Sequence, residues 1–279
     1  MIKKILIPTD GYGLEDHVVR YVARAFPFSE FYVVSVVNTY ERGVQLTNLL
    51  YTEMRVSAEK AIERAKNILE EEGIKNVQCK VLEGLPSRII NKYAKKNDMD
   101  IISMRVYSRR ATASAQRMGS TIKNVIKKSI TPVLTIAEDC KKIPIKKILF
   151  TTDGTRKSKR AKNFSILFSS SYKADMEVLH VMKEGGDKKH AEELVKNVEW
   201  KASFVDVKVK KSIEMGEDVV GKIVKHERFN DIAIMGVGRK VLLWSYIGHV
   251  TQAIVTHSPI PVILVPCIKK RWKKRMLHR

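Results

Sequence analysis

The chain has 279 residues, 44% apolar and 29% charged, with 52 Lys/Arg against 30 Asp/Glu and a net charge of +22. This composition supports a buried core, excludes a disordered or collagen-like chain, and offers no apolar run long enough to span a bilayer. Cys79, Cys140 and Cys267 are too few and too scattered for a disulfide framework or a zinc site, so a reducing, cytoplasmic setting is expected.

In chain order, KKILIPTDG at 3–11 is a β-branched run that ends in a Thr-Asp-Gly turn. FYVVSVV (31–37), VQCKVLE (77–83), DIISMRV (100–106) and PVLTIA (132–137) are further buried-strand patterns. Between them, AEKAIERAKNILEEEG (58–73) sets Ala58, Ala61, Ile62, Ala65, Ile68 and Leu69 on one helical face, with Gly73 as the C-terminal stop. SRIINKYAKKN (87–97) repeats the helical pattern more briefly.

The same order then recurs: KKILFTTDG at 146–154, MEVLHVM at 176–182, FVDVKVKKS at 204–212, NDIAIMGV at 230–237 and IPVILVP at 260–266. The offset between copies shrinks along the chain, from 143 at the Thr-Asp-Gly turns to 131 at MDIISM/NDIAIM. The residues lost from the second copy belong to TYERGVQLTNLLYTEM (39–54), which has no counterpart of equal length. A period this long means a duplicated domain, not a solenoid. We expect domains at 1–140 and 144–268, joined around Pro144, and a basic tail at 269–279. Strand–helix alternation with near-continuous apolar strands predicts an α/β fold, a parallel sheet covered on both faces.

Charge divides unevenly. Residues 1–140 hold 22 basic against 16 acidic residues, and residues 141–279 hold 30 against 14. Two readings of the tail KKRWKKRMLHR stand side by side: a contact for nucleic acid or an anionic membrane surface, or a solvated end.

The segment IMGVGRKVLLWSYIGHV (234–250) places Gly236 and Gly238 after a strand and Gly248 before a helix. Glycines there let backbone N–H groups approach a phosphate. The spacing is neither a Walker motif nor a dinucleotide fingerprint.

Taken together, the paired strand–TDG–helix units, the apolar strand ending LHVM, the DIAIMG strand, the glycine loop and PVILV resemble the universal stress protein family in its tandem form. The resemblance implies two copies of a five-stranded parallel-sheet, adenine-nucleotide α-hydrolase-like (Rossmann-like) domain. It also implies pairing of the copies through their last strands as an internal pseudo-dimer, with a homodimer as a further assembly.

Many members of the family hold ATP through Gly-x-x-Gly, nine residues, then Gly-Ser/Thr. In the second copy Gly236 and Gly238 stand one residue apart instead of two, and His249, followed by Val250, replaces the hydroxyl after Gly248. In the first copy Arg105 and Ser108 replace the opening glycines, while Gly119, Ser120 and Thr121 are kept. Asp10 and Asp153, beside Thr9 and Thr152, match the acidic position near the nucleoside, and Val36 and Val181 match the strand position near the base. An Asp before Gly equally shapes a turn. Arg105, Arg109, Arg110 and Arg117 crowd the first loop, as phosphate ligands, solvated cations or occupants of the cleft. Trp244 and Tyr246 read as packing residues, and His17, His180, His190 and His257 as structural or surface residues.

The expectation is a non-enzymatic tandem stress protein that binds ATP, ADP or AMP in one cleft, the second favoured for its glycines, and signals through a protein partner. The alternative is a nucleotide-independent interaction protein working through its basic second half. Weak ATP hydrolysis is a third reading.

Overall fold

The computed structural model describes residues 2–10, 15–40, 47–107, 117–155, 158–238 and 247–267. The first half runs β1 (Lys4–Thr9), α1 (Asp16–Ala25), β2 (Glu30–Val37), α2 (Asn48–Glu71), β3 (Val77–Glu83), α3 (Pro86–Lys96), β4 (Ile101–Arg105), α4 (Ser120–Lys128) and β5 (Val133–Ile136). The second repeats it: β6 (Lys147–Thr152), α5 (Ser158–Tyr172), β7 (Asp175–Met182), α6 (Lys188–Ser203), β8 (Val209–Met215), α7 (Val219–Glu227), β9 (Ile232–Val237), α8 (His249–His257) and β10 (Val262–Pro266).

The described strands form one ten-stranded sheet in the order β3-β2-β1-β4-β5-β10-β9-β6-β7-β8. Each half is parallel throughout, and the halves meet where β10 pairs antiparallel with β5, Ile263 opposite Leu134. This is the internal pairing that the resemblance implies.

One layer of helices, α1, α2, α5 and α6, buries apolar residues such as Val22, Leu69, Phe168 and Val195 against one face of the sheet. The other layer, α3, α4, α7 and α8, does so with Ile90, Val125, Ile223 and Ile254. The buried residues of α2 are the six that its sequence periodicity places on one face. Its C-terminus closes through Gly73 at φ +83°, where Gly73 N donates to Glu70 O and Ile74 N to Leu69 O. Such a turn satisfies carbonyls that the helix leaves unpaired.

The duplication reaches individual hydrogen bonds. Asp100 accepts from the backbone N–H groups of Lys3 and Lys4, and Asp231 from those of Lys146 and Lys147. Both aspartates thus fasten the first strand of their half to the turn before the fourth. Across the seam, Thr135 Oγ1 donates to Val262 O at 3.1 Å, and Arg160 reaches both Pro266 O and Ile130 O. Phe26 of the first half packs edge-on against Phe168 and Tyr172 of the second. The seam is therefore a packed interior rather than a loose tether.

Candidate nucleotide-binding site

In each half the strand order reverses between the first and fourth strands, so a crevice opens beyond the carboxyl ends of β1 and β4. In the first half this crevice is a cavity of about 790 Å³, well within the range of small-ligand sites. Thr9 and Asp10 form its edge at the end of β1, and Ser35 and Val36 its floor at the end of β2. Arg105 and Tyr107 contribute from the end of β4, and Gly119, Ser120 and Thr121 from the start of α4. Thr9, Asp10, Val36, Arg105, Gly119, Ser120 and Thr121, all singled out in the sequence, therefore surround one space.

Each is held there by its local structure. Glu15, buried before α1, accepts hydrogen bonds from the Thr9 hydroxyl and from the Asp10 backbone N–H (3.0 Å), so the turn after β1 is set by a carboxylate. Gly119 is the N-cap of α4 without a capping side chain, and its own N–H donates to Val106 O at 2.9 Å. The first N–H groups of α4 have no intrahelical partner, and a helix N-terminus favours an anion. The half-buried Arg105 side chain makes no hydrogen bond or ion pair with a described residue.

Sequence reasoning missed the wall opposite. Leu50, Glu53, Met54 and Ser57, on the first turns of α2, close the cavity from the side. Helix α2 has 24 residues where its counterpart α6 has 16, so the length that the second copy lacks is part of this wall. The shrinking repeat offset was the available signal.

The second half differs in detail. Asp153 is exposed, and its carboxylate accepts from the Thr155 N–H and hydroxyl at 3.0 and 2.8 Å, a turn-forming role. Thr152 Oγ1 bonds Ser158 and Gly154. His180, in register with Thr152, places Nδ1 2.8 Å from Thr152 O, whereas the first half has the smaller Ser35 at that register. Val181, Val36 and Val250 are partly buried and pack against the core.

One expectation needs correction. Gly236 does not open a loop: it lies within β9, opposite Val265 of β10, because the strand pairing runs one residue beyond it. His249 begins α8 directly after Gly248, at the position where the family motif has its hydroxyl, and lines a cavity at the seam with Arg117. Gly238 follows β9, and Gly248 is the N-cap of α8, with ordinary φ of −56° and open space where a Cβ would stand. Among the described residues, no steric demand requires glycine at 248. Ser108, Arg109, Arg110, Trp244, Tyr246 and the basic tail lie outside the described residues.

Residues 1–137 match the profile of the Universal stress protein family. The first half of the chain belongs to this family. A universal stress protein of Methanocaldococcus jannaschii is 29% identical over 146 residues, which cover 49% of this chain and 82% of that protein. A universal stress protein from Archaeoglobus fulgidus superposes with a TM-score of 0.77 at 19% identity, covering 95% of this chain and 98% of that one. A protein of unknown function from Pseudomonas aeruginosa follows with a TM-score of 0.62 at 14% identity, covering 95% and 92%. These likenesses show the fold, both halves included. The fold thus stands twice in the chain: once in the half that matches the profile, and again by internal repeat and strand order. Among its described residues no helix is long and apolar enough to cross a membrane, and no group of three or more His, Cys, Asp or Glu can hold a metal ion.

Proposed function

We propose that this protein binds an adenine nucleotide in the cleft of its first half and does no chemistry on it. The observation that carries this reading is the convergence of Thr9, Asp10, Val36, Gly119, Ser120 and Thr121 on one cavity. The apolar part of the lining (Val36, Leu50, Met54, Met104) suits a base, and Asp10 suits the ribose hydroxyls as a hydrogen-bond acceptor. Arg105 and the start of α4 suit phosphate. Glycine count favours the second half, but the cavity and the longer α2 favour the first. The absence of histidine from the described lining leaves no hydroxyl–imidazole pair for nucleophilic attack.

The test is calorimetry and thermal shift of the full chain with ATP, ADP and AMP. Nucleotide at about a hundred times its Kd adds about 2.7 kcal/mol of stability. Arg105→Ala weakens ATP more than adenosine. No response at millimolar nucleotide sinks the reading and leaves the fold untouched.

A further inference from the structure

The second cavity lies on the seam itself, between α4 of the first half and α8 of the second, with a volume of about 490 Å³. Arg117 and Lys123 line it from one side, and His249, Gln252, Thr256 and His257 from the other. Neither helix contains an acidic residue, STIKNVIKK in one and HVTQAIVTH in the other, and no carboxylate is among the described lining.

Elsewhere several basic side chains of this protein find acids: Arg20 meets Glu71, Arg24 meets Glu72, Arg64 meets Asp16 and Lys211 meets Glu199. In the seam cavity the side chains of Arg117, Lys123 and His249 make no hydrogen bond or ion pair with a described residue. Arg117 and Lys123 line the cavity as like charges without a counter-charge, and an anion between them relieves their repulsion. The α8 N-terminus opens at the same place, its N-cap Gly248 offering no side-chain acceptor to its free N–H groups. Gln252 adds an amide donor.

The two walls are held at a fixed distance. Tyr107 Oη donates to Thr256 O at 2.7 Å, and the β5–β10 ladder runs from one half to the other. A pre-set arrangement of donors lowers the ordering cost of binding. No Phe, Tyr or Trp ring is among the described lining residues, so the feature to be read is the charge chain and not a base.

We infer that the seam cavity is a binding site for a condensed-phosphate anion, distinct from the first-half cleft. It joins the two copies through one ligand, with Arg117 and Lys123 supplied by one and His249 and Gln252 by the other.

The experiment is calorimetric titration of the full chain with inorganic triphosphate, with ATP as the second arm. Lys123→Glu combined with His249→Glu should weaken triphosphate at least tenfold, while circular dichroism and the thermal midpoint report intact folding. Gln252→Glu is the milder variant should the double substitution fail to fold, and it should weaken binding in the same direction. Met54→Trp, which fills the first-half cleft, should leave triphosphate affinity within twofold. Triphosphate affinity unchanged by the seam variants overturns the inference. So does loss of binding in Met54→Trp, or binding of ATP with triphosphate ignored. Each of these results leaves the nucleotide reading of the first-half cleft to its own test.

Discussion

The hydroxyl of Tyr107 donates to the carbonyl of Thr256 across 2.7 Å and 149 residues of sequence. Tyr107 lines the first-half cleft, while Thr256 sits in the last turn of α8 in the other half. Its carbonyl is one of those that a helix end leaves without an intrahelical partner. Tyr107→Phe keeps the ring and removes the donor, so the half-buried acceptor is left unpaired. We expect a loss of about 1–2 kcal/mol, read as a lower urea midpoint with unchanged m-value. An unmoved midpoint would show that the bond contributes nothing to stability.

Filling the cleft tests its role without disturbing the core. Met54 is half-buried on the outer wall, on turns of α2 that lie ahead of its six buried positions. Met54→Trp should abolish the nucleotide-induced thermal shift while changing the stability of the free protein by about 0.5 kcal/mol or less. If the shift survives at full size, the nucleotide sits elsewhere.

Glu227 makes stability fall with rising pH. It is fully buried at the end of α7, and neither carboxylate oxygen has a hydrogen-bond partner. Burial pushes its pKa up to about 8, and the Lys142 charge offsets this only in part. The folded chain therefore keeps a proton that the unfolded chain releases above its ordinary value of 4.5. Stability is full below that pH and declines as pH rises toward 8, by an amount on the order of 3–5 kcal/mol. Glu227→Gln should remove the decline, raising the thermal midpoint at pH 8 and changing it little at pH 4. Equal gains at both pH values would refute this account.

Glu177 acts with the opposite sign. Burial alone would raise its pKa, but hydrogen bonds from Ser212, Asn230, Lys210 and His226 outweigh that and bring it to about 2. Its contribution is present above pH 4.5 and disappears as pH falls toward 2. Glu177→Gln should cost about 2–3 kcal/mol at pH 7, with the difference from the parent protein closing in acid. A gap that stays constant to pH 2 would assign the loss to packing.

The duplication, the parallel strands and the buried face of α2 were legible because each is a local or periodic pattern of apolar residues. Residues 58–69 show it best, since the face expected from period 3.6 is the face buried. The choice between the two clefts was not legible in the same way. A glycine motif can be counted along the chain, whereas the cavity depends on where the opening turns of α2 lie over β2 and β4. Those turns carry no clear apolar stripe, and Leu49 and Val56 are exposed. Gly236 shows the same limit: its spacing suits a loop, but pairing with Val265 draws it into β9. The Glu177 cluster gathers residues from β7, β8, α7 and the turn after it, a convergence that no sequence window contains.

The β5–β10 seam has a consequence for symmetry. A dimer of identical chains would display every substitution twice, on both sides of its axis, whether or not both places benefit. Here each position is written once. Ser120 can serve one side while His249 serves the other, and a carboxylate can lie buried at Glu227, four residues after Ile223, where the first half has Ala94 four after Ile90. Covalent pairing keeps the geometry of a twofold dimer and releases its two faces to diverge in chemistry.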